Sequence, residues 1–425
     1  MESGGQTDGI TSNATLFPAN TLEKLVRQTT RRQLMQGIAA ASVVSPRAWS
    51  SEWVTFDQSS HTHPGLILGK GPPGWCDEAR HGGATVRWNE DDQAWWMWYY
   101  ARDKQFPEGV APAFGTGRIA LARSADGIVW ERYKGHLAGG AIMEWSDDPQ
   151  AFDSTHVASS DVLRHNGEWL LWYFGGDSTV PTELGGHPVP ETYRFKGYRC
   201  RPGVARSRDG IHWTRITGAA TGGAAVDIGD NIYGAFPCGI HDGDRFLMYY
   251  TTLSPRVPYW NTEVAESTDL VNWRRRGSIR WSNDPARWEL GGSVTRHVLP
   301  NPKPVGSRWL MLYTALDARV QGSPRMIGVA GSEDGFLWRR KYDEPIFHMG
   351  ALNRFDSGGV AMPQLVRHDD GRLFLYYYGF ANALNMEEPT RGIGLAISEN
   401  GNLEEFRRVR LYVGSDGLTK QLRAE

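Results

Sequence analysis

Six carboxylates stand out by position. Asp77, Asp153, Asp230, Glu289 and Asp356 each open a stretch of small and apolar residues: WCDEARHGGATV, AFDSTHVASSDVL, GDNIYGAFPCGI, WELGGSVTRHVL and FDSGGVAMPQLV. The sixth, Asp161, lies inside the second stretch, in ASSDV. Carboxylates gathered at one place suit general acid–base work, because burial and like-charge neighbours push their pKa values apart and leave one protonated while another is ionised. Recurrence in five places argues the other way for the openers, toward a shared structural job such as turn capping or an inter-element hydrogen bond. Groups that occur only once near them are Glu78, Arg80, His81, His156, Tyr233 and Arg296; for the histidines the plain alternative is a hydrogen-bonded loop residue. No spacing among the twelve histidines and three cysteines fits a metal site or a disulfide framework, so neither metal nor cofactor is expected.

The elements that carry these residues repeat. One phrase occurs as LARSADGIVWERY from Leu121, VARSRDGIHWTRI from Val204, VAESTDLVNWRRR from Val264, GVAGSEDGFLWRR from Gly328 and, blurred, GLAISENGNLEEFRRV from Gly394. Between its copies stands an aromatic run: WWMWYYAR, WLLWYFGG, FLMYYTT, WLMLYTA and FLYYYGF, aligned on Tyr99, Tyr173, Tyr250, Tyr313 and Tyr378. Asn-Gly and Asp-Gly hairpin signals in RHNGEW, HDGDRF and HDDGRL separate the acid-led stretch from the aromatic run. Each unit therefore reads as four antiparallel strands, and five units predict an all-β fold, a five-bladed β-propeller over 50–425. In SxDGxxW the Asp-Gly pair turns the chain between third and fourth strands, and Trp130, Trp213, Trp273 and Trp338 are expected to fill the space between blades. SSEWVTF, from Ser50, reads as a lone fourth strand that completes the last blade, a place for which FRRVRLYVG near the C-terminus competes.

The acid-led openings, the LWYFGGD type of second strand and the ARSxDGxxW turn resemble the five-bladed glycoside hydrolase clan that holds arabinanases, xylosidases, invertases, levansucrases and mannoside phosphorylases. The resemblance covers nearly the whole propeller. It implies a carbohydrate substrate and three carboxylates at the hub: one in Asp-Pro, one in Ala-Pro-Asp-Val and one in Glu-Gly-Pro or Glu-Cys-Pro. Glycosidic cleavage needs a protonated carboxyl near the leaving oxygen and an ionised one across the ring. ASSDV matches the second pattern with Ser160 in place of Pro, which makes Asp161 the transition-state-stabilising residue by resemblance. HGGATV stands where Asp-Pro belongs and AFPCGI where Glu-Gly-Pro belongs, so two of the three carboxylates are missing from their places.

Aligning the innermost strands on Val86, Leu163, Ile240, Val298 and Val366 puts Ala84, Asp161, Cys238, Arg296 and Gln364 at one hub position. The copies disagree there, which marks it as functional. The expected catalytic set is Asp161 with Asp77, Asp230 and Glu289 replacing the missing base and acid. The expected substrate-binding set is Asp153, His156, Arg80, His81, Tyr233, Arg296 and Gln364. An arginine opposite Asp161 suits an anionic substrate group or a phosphate as well as a sugar hydroxyl. The insertion from Gly175 to Gly203 is expected to overhang the funnel, with Tyr193, Arg194, Phe195 and Tyr198 stacking on a ring or packing the loop. The leading expectation is hydrolysis of a glycosidic bond; the alternative is a non-catalytic carbohydrate-binding propeller.

Bulk properties fit this. In 425 residues there are 18 Trp and 50 Gly, and a net charge of −2 gives no electrostatic case for nucleic acid. The run Arg274 to Arg276 reads as an exposed strand face. TTRRQLMQGIAAASVV within 1–49 resembles a twin-arginine export signal, which implies an exported protein if functional and a cytoplasmic one otherwise; an amphipathic surface helix is the alternative. No run approaches the roughly 20 apolar residues of a membrane span.

Overall fold

The computed structural model describes residues 52–55, 63–105, 107–110, 115–256, 259–302, 306–317, 319, 324–382, 391–411 and 423–424. The twin-arginine segment lies outside them. Alternation of apolar runs with Asn-Gly and Asp-Gly turns yields five four-stranded antiparallel sheets. Blade 1 is built from Arg80–Asn89, Ala94–Arg102, Arg118–Ser124 and Glu131–Tyr133. Blade 2 uses His156–His165, Glu168–Gly176, Arg201–Ser207 and Thr214–Ile216. Blade 3 uses Tyr233–Asp242, Arg245–Leu253, Trp260–Ser267 and Arg274–Ser278. Blades 4 and 5 run Ser293–Pro300, Trp309–Leu316, Arg325–Ser332, Leu337–Arg340 and Gly359–Arg367, Leu373–Phe380, Gly392–Ser398, Arg407–Arg410. Each inner strand packs beside the next, blade 5 beside blade 1, so five sheets close a ring.

Closure differs from the sequence expectation. Trp53–Val54 adds to the outer strand of blade 1, not to the last blade, and Arg407–Arg410 supplies the outer strand of blade 5. The seal is Leu66–Leu68, which pairs with the third strand of blade 5 and is buried. Between blades 1 and 2, Ala141–Met143 binds the third strand of blade 1 in the same way. A linker clasps the blade it leaves, so the linker into blade 1 has to clasp blade 5, and no sheet edge is left open there.

The repeated phrase acts as expected. Ser124 Oγ accepts the Gly127 N–H, while Asp126 accepts the N–H groups of Ile128 and Val129. Ser207/Asp209, Ser267/Asp269 and Ser332/Asp334 repeat this. The residue after the acid is left-handed each time: Gly127, Gly210 and Gly335, and Leu270 at φ 66° where the third copy lacks glycine. Trp130 meets Tyr376 of blade 5 edge-on, and Trp338 meets Tyr249 of blade 3; both tryptophans are fully buried between sheets.

The acids that open the blades have a shared task in four of the five copies. Asp77 pairs with Arg132 at 2.7 Å and accepts from Tyr99; Asp153 pairs with Arg215 at 2.7 Å and accepts from Tyr173. Asp356 joins Arg408 at 2.6 Å and Tyr377, and Glu289 joins Arg340 at 2.6 Å and Tyr313. In each, a tyrosine of the second strand and an arginine of the outer strand meet an acid ahead of the inner strand and tie three parts of one blade together. Blade 3 obtains its acid elsewhere: Glu263, on the third strand, pairs with Arg275 at 2.8 Å and accepts from Tyr250. Opposite that tyrosine the other blades carry Ala120, Gly203, Gly328 and Gly394. A Cβ on Gly394 would lie 2.4 Å from the Tyr377 ring, so the small residue makes room for the ring unless, as in blade 3, the side chain is itself the acceptor. The run Arg274 to Arg276 is an exposed strand face, as expected, with Arg275 turned to Glu263 and its two neighbours to Glu266. One sequence reading changes: the blade-5 counterpart of Tyr99 is Tyr377, not Tyr378.

Candidate functional site

Every inner strand carries a register shift partway along: between Gly82 and Thr85, Ser159 and Asp161, Ala235 and Cys238, Ser293 and Thr295, Ala361 and Gln364. A bulge turns the chain and re-aims side chains. At three of the five the extra residue is left-handed, Gly83 at φ 62°, Phe236 at φ 50° and Met362 at φ 52°. Phe and Met are costly there, by about 1–3 kcal/mol each. Both line a cavity of about 220 Å³ to which all five blades contribute, on the face where the inner strands begin.

Four guanidinium groups line this cavity: Arg80 and Arg102 from blade 1, Arg325 from blade 4 and Arg391 ahead of the third strand of blade 5. Arg391 donates to the Tyr378 hydroxyl oxygen at 2.9 Å and to the Asn382 carbonyl at 2.9 Å. Arg102 lies 5.4 Å from the centre of the Tyr100 ring, and Arg325 lies 5.5 Å from that of Phe380. Burial lowers the Arg102 pKa to about 9, and the charge of Arg80 acts in the same direction. Aromatic walls complete the space: Phe174 and Phe236 meet edge-on at 4.8 Å, and Tyr233 meets Trp260 edge-on at 5.5 Å. Gly82 lets Tyr100 and Tyr378 converge, since a Cβ there would come within 3 Å of the Tyr378 ring and of the Tyr100 hydroxyl. Tyr198 of the long blade-2 insertion also lines the cavity, and Tyr193 stacks behind it at 5.0 Å. Arg194 instead donates to the Val189 carbonyl within the insertion. Among the described lining residues there is no carboxylate.

The sequence-predicted site residues separate into groups. Arg80 and Tyr233 line the cavity. Asp77, Asp153 and Glu289 are held in the blade triads; Asp77 is wholly buried, and Glu289 borders a separate side pocket with Arg340 and Tyr313. Asp230 is outside both sets, with a side chain 62% exposed and Arg256 3.8 Å away. His81 donates to the Leu68 carbonyl and His156 to that of Gly197. Burial lowers their pKa values to about 4 and about 3, so both rings are neutral at pH 7. These histidines brace the sealing strand and the insertion.

Asp161 is 2% exposed and both its oxygens are engaged. Oδ1 accepts from Arg87 at 2.9 Å and from the Val162 N–H; Oδ2 accepts from the Gly239 N–H at 3.1 Å and the Cys238 thiol at 3.2 Å. Burial raises its pKa, and Arg87 chiefly opposes that. Arg87 reaches it from the opposite mouth of the hub. Arg296 does not face it: its guanidinium donates to the Phe236 and Val294 carbonyls and to Thr251, and burial lowers its pKa to about 10.

Strand pairing explains the difference. Asp161 lies opposite Trp172, and the residues opposite the matching positions are Thr85, Cys238, His297 and Gln364. The bulges shift blades 1 and 4 by one residue relative to an alignment made on the sequence. Within this ring Asp161 accepts the Gly239 N–H of blade 3, Cys238 accepts the Val298 N–H of blade 4, and His297 Nδ1 accepts the Leu365 N–H of blade 5. The other nitrogen of His297 lies 3.1 Å from the Gln364 amide. Carboxylate, thiol and imidazole thus do one task, holding the backbone of the next blade, and variation in residue type at this position does not by itself mark chemistry.

No family model matches the sequence, and no curated protein matches it. Solved structures do share its fold. A glycosyl hydrolase from Bacteroides ovatus aligns at 15% identity over 81% of this chain and 96% of its own, with a TM-score of 0.53. A protein of the family of mannoside phosphorylases that contains hydrolases targeting β-1,2 mannosidic linkages in Candida mannan aligns at 16% over 79% and 93%, TM-score 0.53. An N-acetylgalactosamine deacetylase from F. plautii, in complex with blood group B trisaccharide, aligns at 14% over 79% and 95%, TM-score 0.54. The chain carries the propeller fold of these carbohydrate-active proteins.

Proposed function

We propose that this chain is a glycoside-active propeller that engages its saccharide in the hub cavity on the face where the inner strands begin. One observation carries the reading: all five blades deliver side chains to that cavity, and its walls pair flat aromatic rings with fixed hydrogen-bond donors, the combination that holds a sugar ring by stacking on its C–H face and bonding its hydroxyls. The long insertion supports it by adding Tyr198 to the same wall.

A second reading, binding without cleavage, is favoured by the placement of the carboxylates. Asp77, Asp161 and Glu289 are committed to ion pairs, and the described lining holds no acid pair for hydrolysis. A glycan array followed by product analysis of every bound member separates the two. Released sugar supports the first reading and binding without release the second; an array with no bound member refutes both.

A further inference from the structure

Resting on that reading, we infer that the side pocket beside Glu289 is an outer subsite for the same saccharide, holding one neutral sugar residue while another occupies the hub cavity. The two spaces adjoin. Trp260 and Val294 line the hub cavity, and their chain neighbours on the same two strands, Asn261 and Ser293, line the side pocket. Between them Trp260 and Gly292 form a bridge that joins blades 3 and 4, and a Cβ on Gly292 would collide with the Trp260 carbonyl oxygen. A pair of residues thus separates the spaces, so a saccharide of a few units reaches from one to the other.

Blade 4 departs from its siblings where this pocket lies. In blades 1 and 5 the incoming linker rests on the acid: Gly71 and Gly350 donate to the Asp77 and Asp356 carbonyls at 3.1 and 3.0 Å, and a Cβ on either glycine would collide with the carboxylate. In blade 4 the acid is a glutamate, whose longer side chain folds back to accept the Ala286 N–H at 2.6 Å, and a space of about 140 Å³ opens beside it. The chemistry of that space selects a neutral sugar. Its two charged lining residues, Glu289 and Arg340, pair at 2.6 Å, so an ionic ligand meets no uncompensated charge of opposite sign among the described lining. A wholly apolar ligand would strip water from Asn261, Asn283 and Ser293 without replacing its hydrogen bonds. A sugar ring answers both conditions. Trp281, 5.3 Å from Tyr313, and Tyr259, 44% exposed, present ring faces to its C–H groups, while Asn261, which donates its amide N–H to Ser278, keeps its amide oxygen for a hydroxyl. The volume is below the roughly 300–1,000 Å³ of sites for drug-sized ligands, which suits one ring.

The test titrates the full chain with neutral oligosaccharide series of increasing length, from the monosaccharide to the hexasaccharide, built on mannose, galactose, glucose, xylose and arabinose. In the series that binds, affinity is expected to rise in one step of about tenfold when the chain becomes long enough to reach the side pocket. Tyr259→Ala and Asn261→Ala should each weaken the members beyond that step about threefold to tenfold and leave the shorter ones unchanged, whereas Tyr198→Ala in the hub wall should weaken every length. Tyr259 is exposed, so its variant tests the pocket even where a deeper substitution such as Trp281→Ala fails to fold. Affinity that does not change with length, or a step that persists in both pocket variants, would overturn the outer subsite and leave the hub reading intact. Equal weakening of short and long members by Tyr259→Ala and Asn261→Ala would overturn it as well. Binding that is lost in Tyr259→Ala but unmoved in Tyr198→Ala would overturn the hub reading and the shared saccharide with it. No bound member in any series would overturn both.

Discussion

Replacing Asp161 tests whether the hub aspartate holds blades together or takes part in chemistry. In Asp161→Asn one side-chain oxygen remains, so the amide can serve either the Val162 and Arg87 side or the Gly239 side, but not both. Whichever way it turns, an NH2 group faces a donor in a buried setting, which costs about 1–3 kcal/mol. Loss of the Arg87 pair adds at most about 1 kcal/mol, because that side chain is 25% exposed and can turn to water. The sum is about 1–4 kcal/mol, and Asp161→Ala, which leaves both amides without an acceptor, should cost more. Urea unfolding followed by tryptophan fluorescence reads this directly. The midpoint should fall while the folded variant keeps its affinity for whichever glycan the array identifies, and any turnover of it. A variant with wild-type stability, within about 0.5 kcal/mol, and abolished turnover would refute the clasp and return Asp161 to the mechanism.

Other consequences can be checked alongside. Asp77→Asn, which leaves the buried Arg132 without its counter-charge, should destabilise the protein by about 3–5 kcal/mol in the same assay, and a neutral result would remove the triad from the list of blade fasteners. Trp130→Ala opens the space between blades 1 and 5 and should cost about 3–5 kcal/mol in unfolding free energy, with glycan affinity of the folded fraction unchanged. Acid should weaken the fold through its buried neutral histidines. His81 titrates at about 4 when folded and near 6.5 when unfolded, so its contribution is complete above pH 6.5 and is lost as pH falls toward 4, about 2 kcal/mol of it between pH 7 and 5. Urea midpoints at those two pH values should therefore lie closer together in His81→Gln than in the wild type, and an unchanged separation would contradict the assignment.

The five repeated sheets, their hairpins and the tryptophan plugs are legible in the chain alone. Those features depend on residues within a few positions of one another, as in Ser124, Asp126 and Gly127, and such local hydrogen-bond geometry is written in the chain directly. The chain carries a second periodic signal. An arginine follows two residues after the plug in every copy, at Arg132, Arg215, Arg275, Arg340 and Arg408, and a carboxylate at Glu263 interrupts a column of Ala and Gly. Together these point to the triads and away from Asp230.

The register at the hub and the make-up of the cavity depend on the assembled ring. A bulge inserts a residue without changing composition, so Arg296 and His297 exchange places relative to any alignment by eye, and a supposed partner of Asp161 becomes a brace for the Phe236 and Val294 carbonyls. Arg102, Arg325 and Arg391 sit on a second strand, on a third strand and ahead of another third strand, far apart in the chain. Ring closure alone brings them to one space, because the blades converge on their axis and no local pattern records which ends will meet.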